Sequence, residues 1–221
     1  MSVIKICGLT RVEDAVVALE SGADFLGLIF HRPSTRYVET GAAVALVKAL
    51  GDRALSARWI GVFVDESPDE VRRIVDAVGL DGVQLHGDEE PEDVERLRRD
   101  GLFVIKGHRI SGSEDLARLD AFEADAHLLD THVPGSPGGT GKTFDWSLAA
   151  RVPGEHCILL AGGLTAENVA EAIGTVKPWG VDVSSGVESA PGVKDPDKIR
   201  RFIAVARDAF VREGGRDEQG S

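Results

Sequence analysis

The segment Val3-Ile4-Lys5-Ile6-Cys7-Gly8 sets an amine and a thiol two residues apart. Extended backbone alternates its faces, so Lys5 and Cys7 share one side and Ile4 and Ile6 the other. A neighbouring ammonium favours thiolate and should bring the Cys7 pKa below its unperturbed value of about 8.5, giving a usable base or nucleophile. The alternative is that Cys7 is a small buried hydrophobe. Cys157, early in another strand and at its opposite end, reads as core. The run Ala126-His127-Leu128-Leu129-Asp130 closes on a carboxyl group. Desolvation there would raise its pKa and equip it as a general acid, although a helix cap or an ion pair would use the same residue. Gln84 and His86 lie on one face of a further run, opposite Val83 and Leu85. A structural histidine is the plain alternative for His86.

Glycine concentrates at two later corners, Ala161-Gly162-Gly163-Leu164-Thr165 and Val183-Ser184-Ser185-Gly186-Val187-Glu188. Glycine lets backbone approach a ligand, and N–H groups at a helix start attract phosphate. Tight turns with no ligand would look similar one at a time, and the two corners together favour phosphate. The loop Pro134 to Thr143 comes close to the phosphate loop of NTPases, G-x-x-x-x-G-K-[ST]. Ser136 stands where its first glycine belongs, and Pro137 removes an N–H from the cradle, so a mobile loop closing over substrate fits better.

These groups need a frame. Strand-like runs begin near Ser2, Phe25, Arg58, Gly82, Phe103, Asp125, His156 and Gly180. Helix-period stretches lie near 11–21, 39–50, 67–78, 90–99, 113–121, 144–150, 165–175 and 195–212. Thr10-x-x-Glu13 and Ser67-x-x-Glu70 are capping-box patterns, the second with Pro68 at the first helical position. Eight strands alternating with eight helices predict an α/β protein, a single (β/α)8 TIM barrel over residues 1–213, with a flexible polar tail at 214–221. A doubly wound open sheet is the competing architecture. Successive strand starts are 23, 33, 24, 21, 22, 31 and 24 residues apart. The two long intervals hold extra residues just after strands two and six, where a barrel builds its active site. Cys7, Asp130 and both glycine corners fall at that same mouth.

Composition narrows the partners. The chain has 221 residues, 43% hydrophobic and 28% charged, which argues against disorder. With 25 basic against 37 acidic residues its net charge of −12 disfavours nucleic acid. No apolar run reaches the ~20 residues of a membrane helix, and no secretory leader is visible. Two cysteines make no disulfide framework, so a cytoplasmic protein is expected. No metal-ligand cluster or dinucleotide fingerprint is visible, so no cofactor and no metal are expected.

The residues together resemble the phosphoribosylanthranilate isomerase family of tryptophan biosynthesis. The resemblance covers nearly the whole chain and rests on Lys5-Ile6-Cys7-Gly8-Leu9-Thr10, Gly82 through Gly87, Leu129-Asp130, Gly139 through Trp146, Ala161 through Leu164, and Val181 through Glu188. It implies a (β/α)8 barrel and a cofactor-free Amadori rearrangement of N-(5′-phosphoribosyl)anthranilate to the 1′-deoxyribulose 5′-phosphate. It also implies Asp130 as the general acid on the furanose oxygen and Cys7 as the general base at ribose carbon 2. Arg36 would hold the anthranilate carboxylate, with Thr35 where the family commonly has proline. Phosphate would meet the backbone of Gly141, Gly162, Gly163, Ser184 and Ser185, and Asp182 a ribose hydroxyl. Lys5, Gln84 and His86 are also expected in the substrate-binding set, and the spacing suggests that Lys5 shapes the charge of Cys7. The implied partner is a small anionic phosphoribosyl substrate, with the protein a monomer or homodimer. A dual-substrate or histidine-pathway isomerase is the nearest rival, and Cys7 argues against it where aspartate is expected. A non-catalytic phosphosugar-binding barrel is the other, and it needs neither an acid nor a base.

Overall fold

The computed structural model describes residues 2–130, 146–152, 154 and 156–217. Eight parallel strands close a barrel in sequence order: β1 Val3–Ile6, β2 Phe25–Ile29, β3 Arg58–Phe63, β4 Gly82–Leu85, β5 Phe103–Arg109, β6 Ala126–Asp130, β7 Ile158–Ala161 and β8 Gly180–Val183. Closure is a parallel β8–β1 ladder running from Val3 opposite Gly180 to Ile6 opposite Val183. The expected barrel is therefore present, and the open sheet is excluded.

Helices α1 Val12–Glu20, α2 Thr40–Leu50, α3 Pro68–Val78, α4 Pro91–Arg99, α5 Ser113–Leu116, α6 Trp146–Ala149, α7 Val169–Val176 and α8 Pro196–Asp217 form the outer layer. In α3, Val71, Ile74, Val75 and Val78 recur at helical spacing and are all buried. Each such burial contributes about 1.5–3 kcal/mol. The α3 start is as expected, with Pro68 in the first turn and the Ser67 hydroxyl accepting from the Glu70 N–H at 3.3 Å. The expected Thr10 cap is not formed. Arg11 occupies the cap position of α1, and the Thr10 hydroxyl donates instead to the Gly192 carbonyl at 2.6 Å. A single helix over 113–121 is also not seen. Asp115 turns back to accept from the Ser111 and Gly112 N–H groups, and after α5 the chain makes only a short 3-10 turn at Leu119–Ala121. Cys157 precedes β7 and is exposed, so its reading as core is wrong. α8 runs past residue 212 to Asp217.

One element was not foreseen from the sequence. A small antiparallel hairpin, β9 Glu188–Ala190 and β10 Val193–Lys194, follows β8 at the mouth.

Side chains inside the barrel are stacked by height. Val3, Phe25, Ile60, Ile105, Ala126, Leu128 and Leu159 form an apolar plug, with Phe103 and Trp179 packed against it. The Phe25 ring meets Phe103 and Trp179 edge-on at 5.7 and 6.0 Å between centroids, which seals the N-terminal end. Polar groups then begin above a dry floor.

Candidate active site

Cys7, Arg36, Gln84, His86, Asp130, Gly162, Gly163, Asp182, Ser184 and Ser185 all line one cavity of about 380 Å³ at the C-terminal mouth. Gly141 lies outside the described residues, as does the glycine-rich loop around it. Lys5 sits beneath the cavity, fully buried. Ile29, Val62 and Leu128 give the cavity an apolar side, each an inward position of its strand. His31 and Ser34 also line it. They belong to the insertion after β2 that the spacing flagged, but no motif singled them out.

A polar chain crosses the barrel beneath the mouth. Lys5 Nζ donates to Asp182 Oδ1 at 3.1 Å and to Gln84 Oε1 at 2.8 Å. The Gln84 amide nitrogen lies 2.8 Å from His86 Nδ1, and His86 Nε2 lies 3.5 Å from Asp130 Oδ2. An ammonium has only donors, so the oxygen of Gln84 must face Lys5 and its NH₂ must face His86. His86 Nδ1 therefore accepts, and the ring proton is on Nε2, toward Asp130. Four strands contribute to this chain, and period-two alternation alone points each of the residues inward.

Cys7 lies one residue beyond β1, its N–H still on the ladder to the Val183 carbonyl at 2.8 Å. Its thiol packs against Gly27 on β2, where a Cβ would come within 2.8 Å of Sγ. The expected lowering of its pKa is not what the site produces. Burial raises the thiol above its ordinary range, Lys5 pulls it down, and Asp182 pushes it up again. The ammonium is shared with Asp182 and Gln84, so its pull on the thiol is the weaker influence. For Lys5 itself, burial works downward, yet Asp182 and Cys7 outweigh it and its pKa is raised.

Arg36 is engaged by a partner that sequence reasoning did not identify. Glu188 takes its guanidinium in a bidentate pair, Nε to Oε1 at 2.7 Å and Nη2 to Oε2 at 2.6 Å. The two glycine corners adjoin as expected. Gly162 and Gly163 have φ of +91° and +64°, a backbone that side chains resist. Among the described residues no group of histidine, cysteine and carboxylate side chains is arranged to hold a metal. No described helix is long and apolar enough to cross a membrane.

Comparison with known proteins shows the family. The family model for N-(5′-phosphoribosyl)anthranilate (PRA) isomerase matches residues 4–205. The chain belongs to that family. It is 49% identical over 216 residues to the N-(5′-phosphoribosyl)anthranilate isomerase of Pseudomonas paraeruginosa, covering 97% of each chain. Its fold matches the crystal structure of phosphoribosyl anthranilate isomerase from Thermotoga maritima with a TM-score of 0.86 and 41% identity, over 94% of this chain and 100% of that one. A second PRA isomerase structure, 38% identical with a TM-score of 0.81 and the same coverage, is a complex with reduced 1-(o-carboxyphenylamino)-1-deoxyribulose 5-phosphate. As a PRA isomerase the protein carries out the Amadori isomerisation of phosphoribosylanthranilate in tryptophan biosynthesis.

Proposed function

We propose that Asp130 is the general acid and Cys7 the general base of this isomerisation. Asp130 gives a proton to the furanose oxygen, and the ring opens to a protonated Schiff base. Cys7, as thiolate, then removes the proton from ribose carbon 2, and the enolamine tautomerises to the aminoketone. The positive Schiff base adds to the pull of Lys5 on the thiolate at the moment it is needed. His86, with its Nε2 proton toward Asp130, orients the carboxyl group, and Gln84 and Lys5 hold His86 in turn.

Arg36 binds the aryl carboxylate of the substrate, a role suited to a guanidinium fork. Phosphate binds at the backbone of Gly162, Gly163, Ser184 and Ser185, and Asp182 meets a ribose hydroxyl. Neither metal nor cofactor takes part, and the protein works in the cytoplasm. Its partner is the small anionic phosphoribosyl substrate. A Thermotoga maritima member is described as dimeric. Sedimentation decides between monomer and homodimer here.

The observation that carries this reading is that Cys7, just after β1, and Asp130, at the end of β6, enter one cavity above the Lys5–Gln84 contact. The test follows the loss of anthranilate fluorescence in the parent protein, Cys7→Ser and Asp130→Asn, with circular dichroism as a check on folding. Each variant should lose at least about a hundredfold in kcat, the lower end of what acid–base catalysis supplies. Near-normal turnover by Cys7→Ser would place the base elsewhere.

A further inference from the structure

Glu188 is the centre of a connected group at the mouth that the roles above leave unexplained. Its Oε1 accepts from Arg36 Nε at 2.7 Å, from Lys194 Nζ at 3.0 Å and from the Gly192 N–H at 3.3 Å, while Oε2 accepts from Arg36 Nη2 at 2.6 Å. Burial pushes the Glu188 carboxyl up, but Arg36 and Lys194 together hold it below the usual carboxylate range. Lys194 is 2% exposed. Its remaining contacts are the Ser184 carbonyl at 3.0 Å and the Ser184 hydroxyl at 3.4 Å. Three acceptors around one nitrogen match the three hydrogens of an ammonium. The hairpin that carries Glu188 and Lys194 is tied down from two more sides. The Lys194 N–H donates to Asp14 Oδ2 at 3.0 Å, and Lys198 Nζ donates to the Glu188 carbonyl at 2.7 Å.

A guanidinium offers two edges to carboxylates, the side-on pair Nε/Nη2 and the end-on pair Nη1/Nη2. Glu188 occupies the first and thereby fixes the direction of the second. An isolated Arg–Glu pair is neutral and has little attraction for another carboxylate. With Lys194 included, the group has one net positive charge. We propose that Glu188 is the positioning residue that aims the Arg36 fork at the substrate's aryl carboxylate, and that buried Lys194 supplies the charge that lets an already paired arginine bind a second carboxylate. The inference rests on the reading of Arg36 given above.

The test is a set of kcat and KM values for phosphoribosylanthranilate. The double variant Glu188→Gln/Lys194→Met removes one charge of each sign, keeps the net charge of the group and strands no buried ion. It should raise KM about tenfold with kcat within about threefold, because the loss falls on the aim of Arg36 and Lys194 is the smallest of the influences on the Cys7 thiol. Lys194→Met alone, which neutralises the group, should raise KM as well. In an Arg36→Met background, which itself raises KM, the double substitution should add less than about twofold. Competitive inhibition by inorganic phosphate should stay within about twofold in the double variant. An unchanged KM in the double variant, with Arg36→Met still impaired, overturns the positioning role alone. An equal loss of phosphate affinity makes the hairpin a general support and overturns it too. If Arg36→Met leaves KM unchanged, the carboxylate site lies elsewhere and both readings fall.

Discussion

Two opposing influences meet at Cys7, and their balance sets how readily its thiol ionises. Lys5 is two residues away on the same strand face, a relation the alternation of Val3–Cys7 makes plain. What the sequence does not show is that Asp182, from the last strand, shares the same ammonium. That neighbour is distant in sequence and becomes adjacent only when β8 closes on β1. Burial and Asp182 therefore prevail over Lys5, and the free thiol titrates above its ordinary range. Arg36 and Glu188 repeat the lesson: the family resemblance singles out Arg36, but its resident partner belongs to a hairpin with no periodicity to announce it. Alkylation by iodoacetamide tests the Cys7 balance, in a Cys157→Ser background because Cys157 is the exposed thiol. The Cys7 rate should keep climbing through pH 9 without levelling, and Lys5→Met should slow it at every pH. A plateau below pH 8 would mean that a thiolate already exists in the unliganded site.

At the scale of elements, all eight barrel strands begin within two residues of their expected starts, because parallel strands buried on both faces are long apolar runs. Elements whose stability is local or tertiary were the ones misjudged. α5 has too few apolar residues to hold the helical period, and the β9–β10 hairpin is held by ion pairs rather than by pattern. The thin cover at α5 leaves an unusual polar seam on the outside of the barrel. His108 Nε2 and His127 Nδ1 lie 3.0 Å apart, both buried, with Phe122 and His156 against them. Burial lowers both, and each also feels a neighbouring histidine, bringing His108 to about 3 and His127 to about 4. Below pH 6.5 the unfolded chain takes up protons that the folded chain refuses, so stability falls as pH drops from about 6.5 toward those folded values. At pH 5 the loss is about 1–2 kcal/mol per imidazole. Thermal unfolding of the parent should therefore decline more steeply between pH 7 and 5 than that of His108→Leu/His127→Leu. Parallel pH profiles would show that the pair does not titrate in this way.

For the whole molecule, the question is how a chain of net charge −12 captures a substrate bearing a phosphate and a carboxylate. Among the described residues, the cations in or bracing the cavity are Lys5, Arg36 and Lys194, and Asp182, Glu188 and Asp130 oppose them. With the histidines of the lining, His31 and His86, counted as neutral and Asp130 protonated, the net charge is one positive. With the roles proposed above, recognition is short-range, made by one aimed fork and by backbone N–H groups at the glycine corners, whose dipoles act only within a few ångströms. The far field stays repulsive. At about 10 mM salt the screening length is about 30 Å, larger than the barrel's radius, so the approaching anion meets the charge of the whole protein. At 150 mM it is about 8 Å, and only the mouth is felt. Sodium chloride added over this range should therefore raise kcat/KM a few-fold, with kcat nearly constant, because the repulsion is felt by free substrate and not by the proton transfers. An enzyme that steers its substrate with a basic surface would show the opposite slope, and a fall in kcat/KM would show that cations outside this count dominate capture.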